Sequence, residues 1–272
     1  MTDNNAISLQ SQLIGLESVH NARELGGYAI GEKRVRKGLL IRCANLNVLS
    51  ERDSRILSER FHLGRIYDFR GLNEAALAPD IVPQGAVRIS FSVSLSPNQR
   101  GLKISAMDHR AVVGFLLENA SHPELRQTCE HLYENILLDS YSQEVYRQFF
   151  TDLVENADGE HAVIMHCTQG KDRAGCASAL LLAALGADRD LIIRDYRLTG
   201  DYYDPMLARI PVSTADQKRV LGTILGADYK LFNRTLDLVE SRYGSLESYL
   251  EEVLGVTPEM REILRGRYLE IA

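Results

Sequence analysis

The stretch Ala162-Val163-Ile164-Met165-His166-Cys167-Thr168-Gln169-Gly170-Lys171-Asp172-Arg173-Ala174-Gly175 governs the reading of the whole chain. Its first four residues form an uninterrupted apolar run, the pattern of a strand buried on both faces. Residues 174–185 are rich in Ala and Leu and stop at Gly186, a residue type that ends helices readily. Between the two lies a short turn containing Gly170. The expected local structure is strand, tight loop, helix, with Cys167 at the strand end and Arg173 at the helix start.

Such a loop is suited to a tetrahedral dianion. Backbone N–H groups of Thr168, Gln169, Gly170, Lys171, Asp172 and Arg173, curled at the mouth of a helix, converge on an anion and add a positive field. Arg173 can grip two oxygens in a bidentate fork, which Lys cannot reproduce. The same field favours the thiolate of Cys167, and a thiolate can attack phosphorus. His166 is expected to support the loop by hydrogen bonding, since a thiol ionised by the field needs no base. A Cys and an Arg six positions apart recur by chance; the longer string in this strand–helix setting is far more specific.

Working outward, residues 39–43, 65–70 and 86–92 carry strand patterns. Helices are expected over 50–62, opened by Ser50, and over 142–156, 188–198, 229–243, 246–254 and 258–269, the last announced by the cap pair Thr257-Pro258. In 103–137, Val112, Val113, Phe115, Leu116, Leu125, Cys129, Leu132 and Ile136 recur at helical spacing, which predicts a helical insert. Strands alternating with helices predict an α/β fold with a mainly parallel sheet flanked by helices and a helical C-terminal part. A single domain over 13–272 follows, with a flexible polar stretch at 1–12.

Composition narrows the function classes. A net charge of -6 argues against a nucleic-acid binder. Four scattered cysteines, none in a CxxC pair, suit neither a disulfide scaffold nor a structural zinc site, and no metal or other cofactor is expected. Without a basic-then-apolar leader or an apolar run long enough for a transmembrane segment, the expected location is cytoplasmic, signal-less export remaining open.

The string over 166–175 resembles the signature loop of the protein tyrosine phosphatase superfamily, in its bacterial atypical, mycobacterial PtpB-like branch. Asn21-Ala22-Arg23-Glu24-Leu25-Gly26-Gly27-Tyr28 is similar to that branch's Asn-x-Arg-Asp-Leu-Gly-Gly segment. Tyr67-Asp68-Phe69-Arg70 with Glu74 and Pro79-Asp80 is similar to its Asp-Leu-Arg…Glu…Pro-Asp stretch, and Asp195-Tyr196 and 243–249 also match. The resemblance implies a dual-specificity-type core, no metal, and a helical lid, assigned to part of 103–137. It implies hydrolysis of phosphate monoesters through a phosphocysteine, with phosphotyrosine as substrate and phosphoserine and phosphothreonine as further ones. One departure stands out. Family loops usually follow the Arg with Thr or Ser, whose hydroxyl assists loss of the thiolate; here that position is Ala174.

Other assignments stay open at this level. Asp172 and Asp68 compete as general acid, the alternatives being a loop brace and an ion pair. Lys171 is either a solvated surface residue or a second cation at the rim for substrates with several phosphates, such as phosphoinositides or inositol phosphates. Arg70, Arg23 and Asp195-Tyr196 are expected to be scaffold contacts around the loop. Competing functions are an inositol-phosphate or phosphoinositide phosphatase using the same loop, a non-catalytic phospho-binding protein, and, less well matched, sulfur transfer. The oligomeric state is not legible.

Overall fold

The apolar run at 163–166 lies at the centre of the molecule. In this computed structural model, which describes residues 7–93 and 109–272, strand β7 (Val163–His166) runs parallel between β4 (Leu40–Cys43) and β5 (Arg65–Asp68). Strand β6 (Val87–Ser90) continues the parallel set beside β5, and the two-residue β1 (Arg23–Glu24) closes the far edge antiparallel, giving the order β1-β4-β7-β5-β6. Alternate residues of β7 serve opposite faces. Val163 and Met165 enter the larger core, and Ile164 enters a smaller one with Leu57, Phe61 and Ile66. The register aligns Cys43, His166 and Asp68 across three neighbouring strands, so their carboxyl ends form one edge. In open parallel sheets that edge is where ligands bind.

Helix α8 (Arg173–Leu185) leaves that edge and is buried at nearly every position, then stops at Gly186 in the left-handed region with φ 98°. Helices α7 (Ser140–Asn156), α11 (Tyr229–Tyr243) and α13 (Pro258–Tyr268) contribute to the same large core. Ser50 caps α2 (Glu51–Arg55), which continues as a π-helical turn over Ile56–Arg60 against the other face. Helix α9 (Arg189–Leu207) runs well past the expected end at 198 and carries Pro205 inside it.

The insert is three helices among the described residues, with 103–108 outside them: α4 (His109–Glu118), α5 (Pro123–Glu130) and α6 (Leu132–Leu137). They divide by destination. Leu132, Tyr133, Ile136 and Leu137 of α6 join the main core, whereas Leu116, Leu125 and Cys129 form a separate cluster with Val220, Leu221 and Leu225. That cluster ties α4 and α5 to α10 (Ala215–Ile224), a helix the sequence pattern did not announce.

The stretch 1–12, expected to be flexible, is structured over the part that is described. Residues 1–6 lie outside the described residues, but Leu9–Gln12 form the capped turn α1, and Gln12 donates to the carbonyls of Glu24 and Gly26. A second, three-stranded antiparallel sheet, β2 (Ala29–Ile30), β3 (Lys33–Val35) and β8 (Leu269–Ile271), was also not anticipated; its strands are too short to carry a period. Among the described residues no helix is long and apolar enough to cross a membrane.

Candidate active site

The loop between β7 and α8 is held from outside by its carbonyl oxygens. Asn21 Nδ2 donates to Gln169 O and Gly170 O, each at 3.2 Å. Arg42 Nη2 donates to Gly170 O at 2.9 Å and Lys171 O at 3.1 Å, and Tyr203 Oη donates to Gln169 O at 2.9 Å. A peptide plane whose carbonyl is pinned outward turns its N–H inward. Correspondingly, the N–H groups of Thr168 through Asp172 find no acceptor among the described residues. Buried backbone donors are rarely left so, and the arrangement is suited to an anion. Gly170 makes the tight path feasible: its φ is 64°, and a Cβ there would lie 2.3 Å from the carbonyl carbon and oxygen of Cys43.

The outer supports are themselves braced. Arg42 Nη1 and Asp195 Oδ2 are 2.5 Å apart, Arg23 Nε lies 3.5 Å from Asp195 Oδ1, and Tyr28 Oη donates to that oxygen at 2.8 Å. Burial works to raise the Asp195 carboxyl, but the charges of Arg42 and Arg23 prevail and hold it below its ordinary value. Arg23 and Asp195 thus contact the residues that hold the loop; Arg42, Asn21 and Tyr203 were missed as loop supports. Arg42 left a signal, a charged residue inside an apolar strand.

Arg173, 3 % exposed, opens α8 and is clamped by Glu74 of α3 (Leu72–Leu77). Nη1 to Oε2 is 2.5 Å and Nη2 to Oε1 is 2.9 Å, while Thr168 Oγ1 donates to Oε1 at 2.7 Å. Burial works to raise the Glu74 carboxyl, yet the Arg173 charge and these hydrogen bonds pull it down to about 2. Arg173 Nε is buried without a partner among the described residues, a strong donor left for a ligand. Cys167, at the end of β7, is 3 % exposed and close enough to Arg173 for their charges to interact. Burial pushes the Cys43 and Cys176 thiols well up and that of Cys129 to about 11.

Asp172 is the residue before α8. Its Oδ1 accepts from Tyr133 Oη at 2.6 Å, and its Oδ2 lies 3.5 Å from Lys171 Nζ. Lys171 is neither a rim cation nor a solvated surface residue. It is fully buried, and its Nζ donates to Thr223 O and Ile224 O, each at 2.8 Å, at the C-terminal end of α10. A cation suits that end because helix carbonyls there lack partners.

Asp68 is likewise engaged elsewhere. Both its oxygens accept from Arg70, at 2.9 Å, and Arg88 also bonds to it. Asp80 accepts from Arg70 at 2.6 Å and from Arg88 at 2.9 Å, and lies 3.2 Å from His166 Nε2. Burial works to raise the Asp68 carboxyl, but the Arg70 hydrogen bonds and the nearby His166 and Arg70 charges hold it below its ordinary value. An ionised, fully buried carboxylate shared between two guanidinium groups is an ion-pair brace, which speaks against a proton-donating role. His166 Nδ1 lies 3.4 Å from Cys167 O, consistent with loop support. Asp68, Asp80 and His166 bring metal-type donor atoms together, but the two arginines already balance the carboxylates.

These features define a cysteine loop of phosphatase type, and the comparisons agree. The tyrosine phosphatase family's profile matches residues 14–270, so the chain belongs to that family and is a phosphoric monoester hydrolase. A protein of Cupriavidus necator assigned by name to the tyrosine-protein phosphatases is 28 % identical, the match covering 94 % of this chain and 88 % of that one. The triple specificity protein phosphatase PtpB of Mycobacterium tuberculosis is 27 % identical over 85 % of this chain and 91 % of its own length. The core catalytic domain of the S. cerevisiae PP-IP phosphatase SIW14 aligns at 14 % identity and a TM-score of 0.33, covering 79 % of this chain and 93 % of that one.

Proposed function

We propose that this phosphatase hydrolyses phosphotyrosine, together with phosphoserine and phosphothreonine, through a covalent phosphocysteine on Cys167. The Cys167 thiolate attacks phosphorus; the S–P bond forms as the P–O bond to the leaving group breaks. Asp172 gives its proton to the departing oxygen. Water then attacks the phosphocysteine, the Asp172 carboxylate takes a proton from it, and phosphate and the thiolate are released. Loop amides and Arg173 carry the charge on the equatorial oxygens throughout.

The single observation that supports this most directly is the run of loop N–H groups, Thr168 to Asp172, that find no acceptor among the described residues, beside the clamped guanidinium of Arg173. The triple specificity named for the mycobacterial relative supports a range wider than phosphotyrosine. The inositol-phosphate alternative rested on Lys171 as a rim cation, and the burial of Lys171 removes that support. Rapid acid quench of the enzyme with p-nitrophenyl phosphate, followed by peptide mass mapping, tests the mechanism. A phosphate adduct on Cys167, absent from an inactive Cys167→Ser variant, is expected; turnover retained by Cys167→Ser would refute the mechanism.

A further inference from the structure

The phenol of Tyr133 lies on a helix of the insert, 39 positions from the cysteine loop, and it contacts the loop's carboxylate. A phenol has one proton. Since Tyr133 Oη donates it to Asp172 Oδ1, its hydrogen bond with Tyr196 Oη must use the Tyr196 proton, and the chain runs Tyr196 to Tyr133 to Asp172. The rings are fixed as well as the hydroxyls. Tyr133 meets Phe232 edge-on at 5.4 Å, and Tyr196 stacks on the same Phe232 at 4.4 Å.

We propose that Tyr133 is a positioning residue that decides which oxygen of Asp172 carries the transferable proton. This inference rests on the reading of Asp172 as general acid. In a carboxylic acid the C=O oxygen is the better acceptor, so the Tyr133 hydrogen bond makes Oδ1 the carbonyl oxygen of the acid form and leaves the proton on Oδ2. Lys171 Nζ, the cation near Oδ2, has no lone pair to draw that proton away, and it already donates to Thr223 O and Ile224 O. Burial and the Asp172 charge push the Tyr133 phenol well up, which keeps it a donor.

The test uses kcat/KM for a series of aryl phosphates, from 2,4-dinitrophenyl phosphate, whose leaving group needs no proton, to phenyl phosphate, whose leaving group does. Asp172→Asn should lose roughly a hundredfold or more on phenyl phosphate and far less on the dinitrophenyl ester. Tyr133→Phe should show the same bias at about tenfold, the worth of one hydrogen bond to a charged group. A merely structural tyrosine would slow every ester alike. If Asp172→Asn steepens the leaving-group dependence and Tyr133→Phe does not, the positioning role is overturned while the acid assignment stands. If Asp172→Asn leaves the dependence as in the wild type, the acid assignment fails and the inference with it. Should Tyr133→Phe not fold, Tyr196→Phe decides: removing the proton donated into Tyr133 should steepen the dependence in the same direction, and an unchanged slope would refute the chain.

Discussion

Glu74 grips the two terminal nitrogens of Arg173, whose Nε has no partner among the described residues. The guanidinium is thereby fixed in plane before any ligand arrives, so orienting it on binding costs little. Glu74 also accepts from Thr168 Oγ1 and from the N–H of Gly71, so one carboxylate ties α3, the loop and the start of α8 together.

Glu74→Gln is expected to lower kcat/KM by about a hundredfold, with the loss largest in the chemical step, because in the proposed mechanism Arg173 stabilises charge that develops there. It should also change acid stability. The folded carboxyl is depressed from 4.5 to about 2, so its contribution is complete above pH 4.5 and is lost as pH falls through 2. The full contribution is on the order of 3 kcal/mol. Urea midpoints of wild type and variant between pH 5 and pH 2 check this: the wild type should lose more stability than Glu74→Gln across that window.

Gly170→Ala should disable the loop. Its φ of 64° disfavours a side chain, and the new methyl would meet main-chain atoms of Cys43, which cannot swing aside. Loss of activity by at least about a hundredfold is expected, with weaker inhibition by vanadate, since the amide geometry itself is displaced. Vanadate titration checks the second effect: unaltered affinity would mean that the loop does not bind the oxyanion through its main chain.

The strand–loop–helix around Cys167 was legible because every signal is local: an apolar run, a glycine, then an Ala-rich helix. Its supports were less so. Glu74 and Arg173 are 99 positions apart, and Lys171 reaches carbonyls 52 and 53 positions away, partners that no local pattern specifies. Lys171 therefore looked like a surface cation. Asp68 presented the opposite difficulty: its place at a strand end beside the loop suggested chemistry, while its arginine partners, one of them 20 positions on, decide its state.

Asp68→Asn should cost stability without the signature of a missing acid. Removing one charge from the buried cluster leaves Asp80 to balance both Arg70 and Arg88, and a loss of about 3–5 kcal/mol is expected. Residual activity should fall equally for dinitrophenyl and phenyl phosphates. Thermal unfolding with the same ester series checks both points, and a selective loss on phenyl phosphate would return Asp68 to candidacy as the acid.

Lys171→Met should also act on the fold. Two carbonyls at the end of α10 lose a charged donor, a cost of about 2–4 kcal/mol, and hydrogen exchange should quicken first in α10. The ratio of activity on inositol polyphosphates to that on p-nitrophenyl phosphate should not change, because the ammonium is turned away from solvent. A selective fall on polyphosphates would show that Lys171 meets substrate after all.

Ala174 lies fully buried in the first turn of α8, at the position where the loop resemblance implies a hydroxyl. In the proposed mechanism Ala174 offers the leaving Cys167 sulfur no hydroxyl hydrogen when water attacks the phosphocysteine, so the second step should be slow and the first turnover should appear as a burst. Ala174→Ser supplies the donor with one added atom, which a packed site tolerates better than Thr. Pre-steady-state kinetics with p-nitrophenyl phosphate should show an unaltered burst rate and a steady-state rate raised by up to about tenfold. A steady-state rate that stays level while the burst persists would mean that the sulfur already leaves without help, and that the loop's amides and Arg173 alone stabilise the departing thiolate.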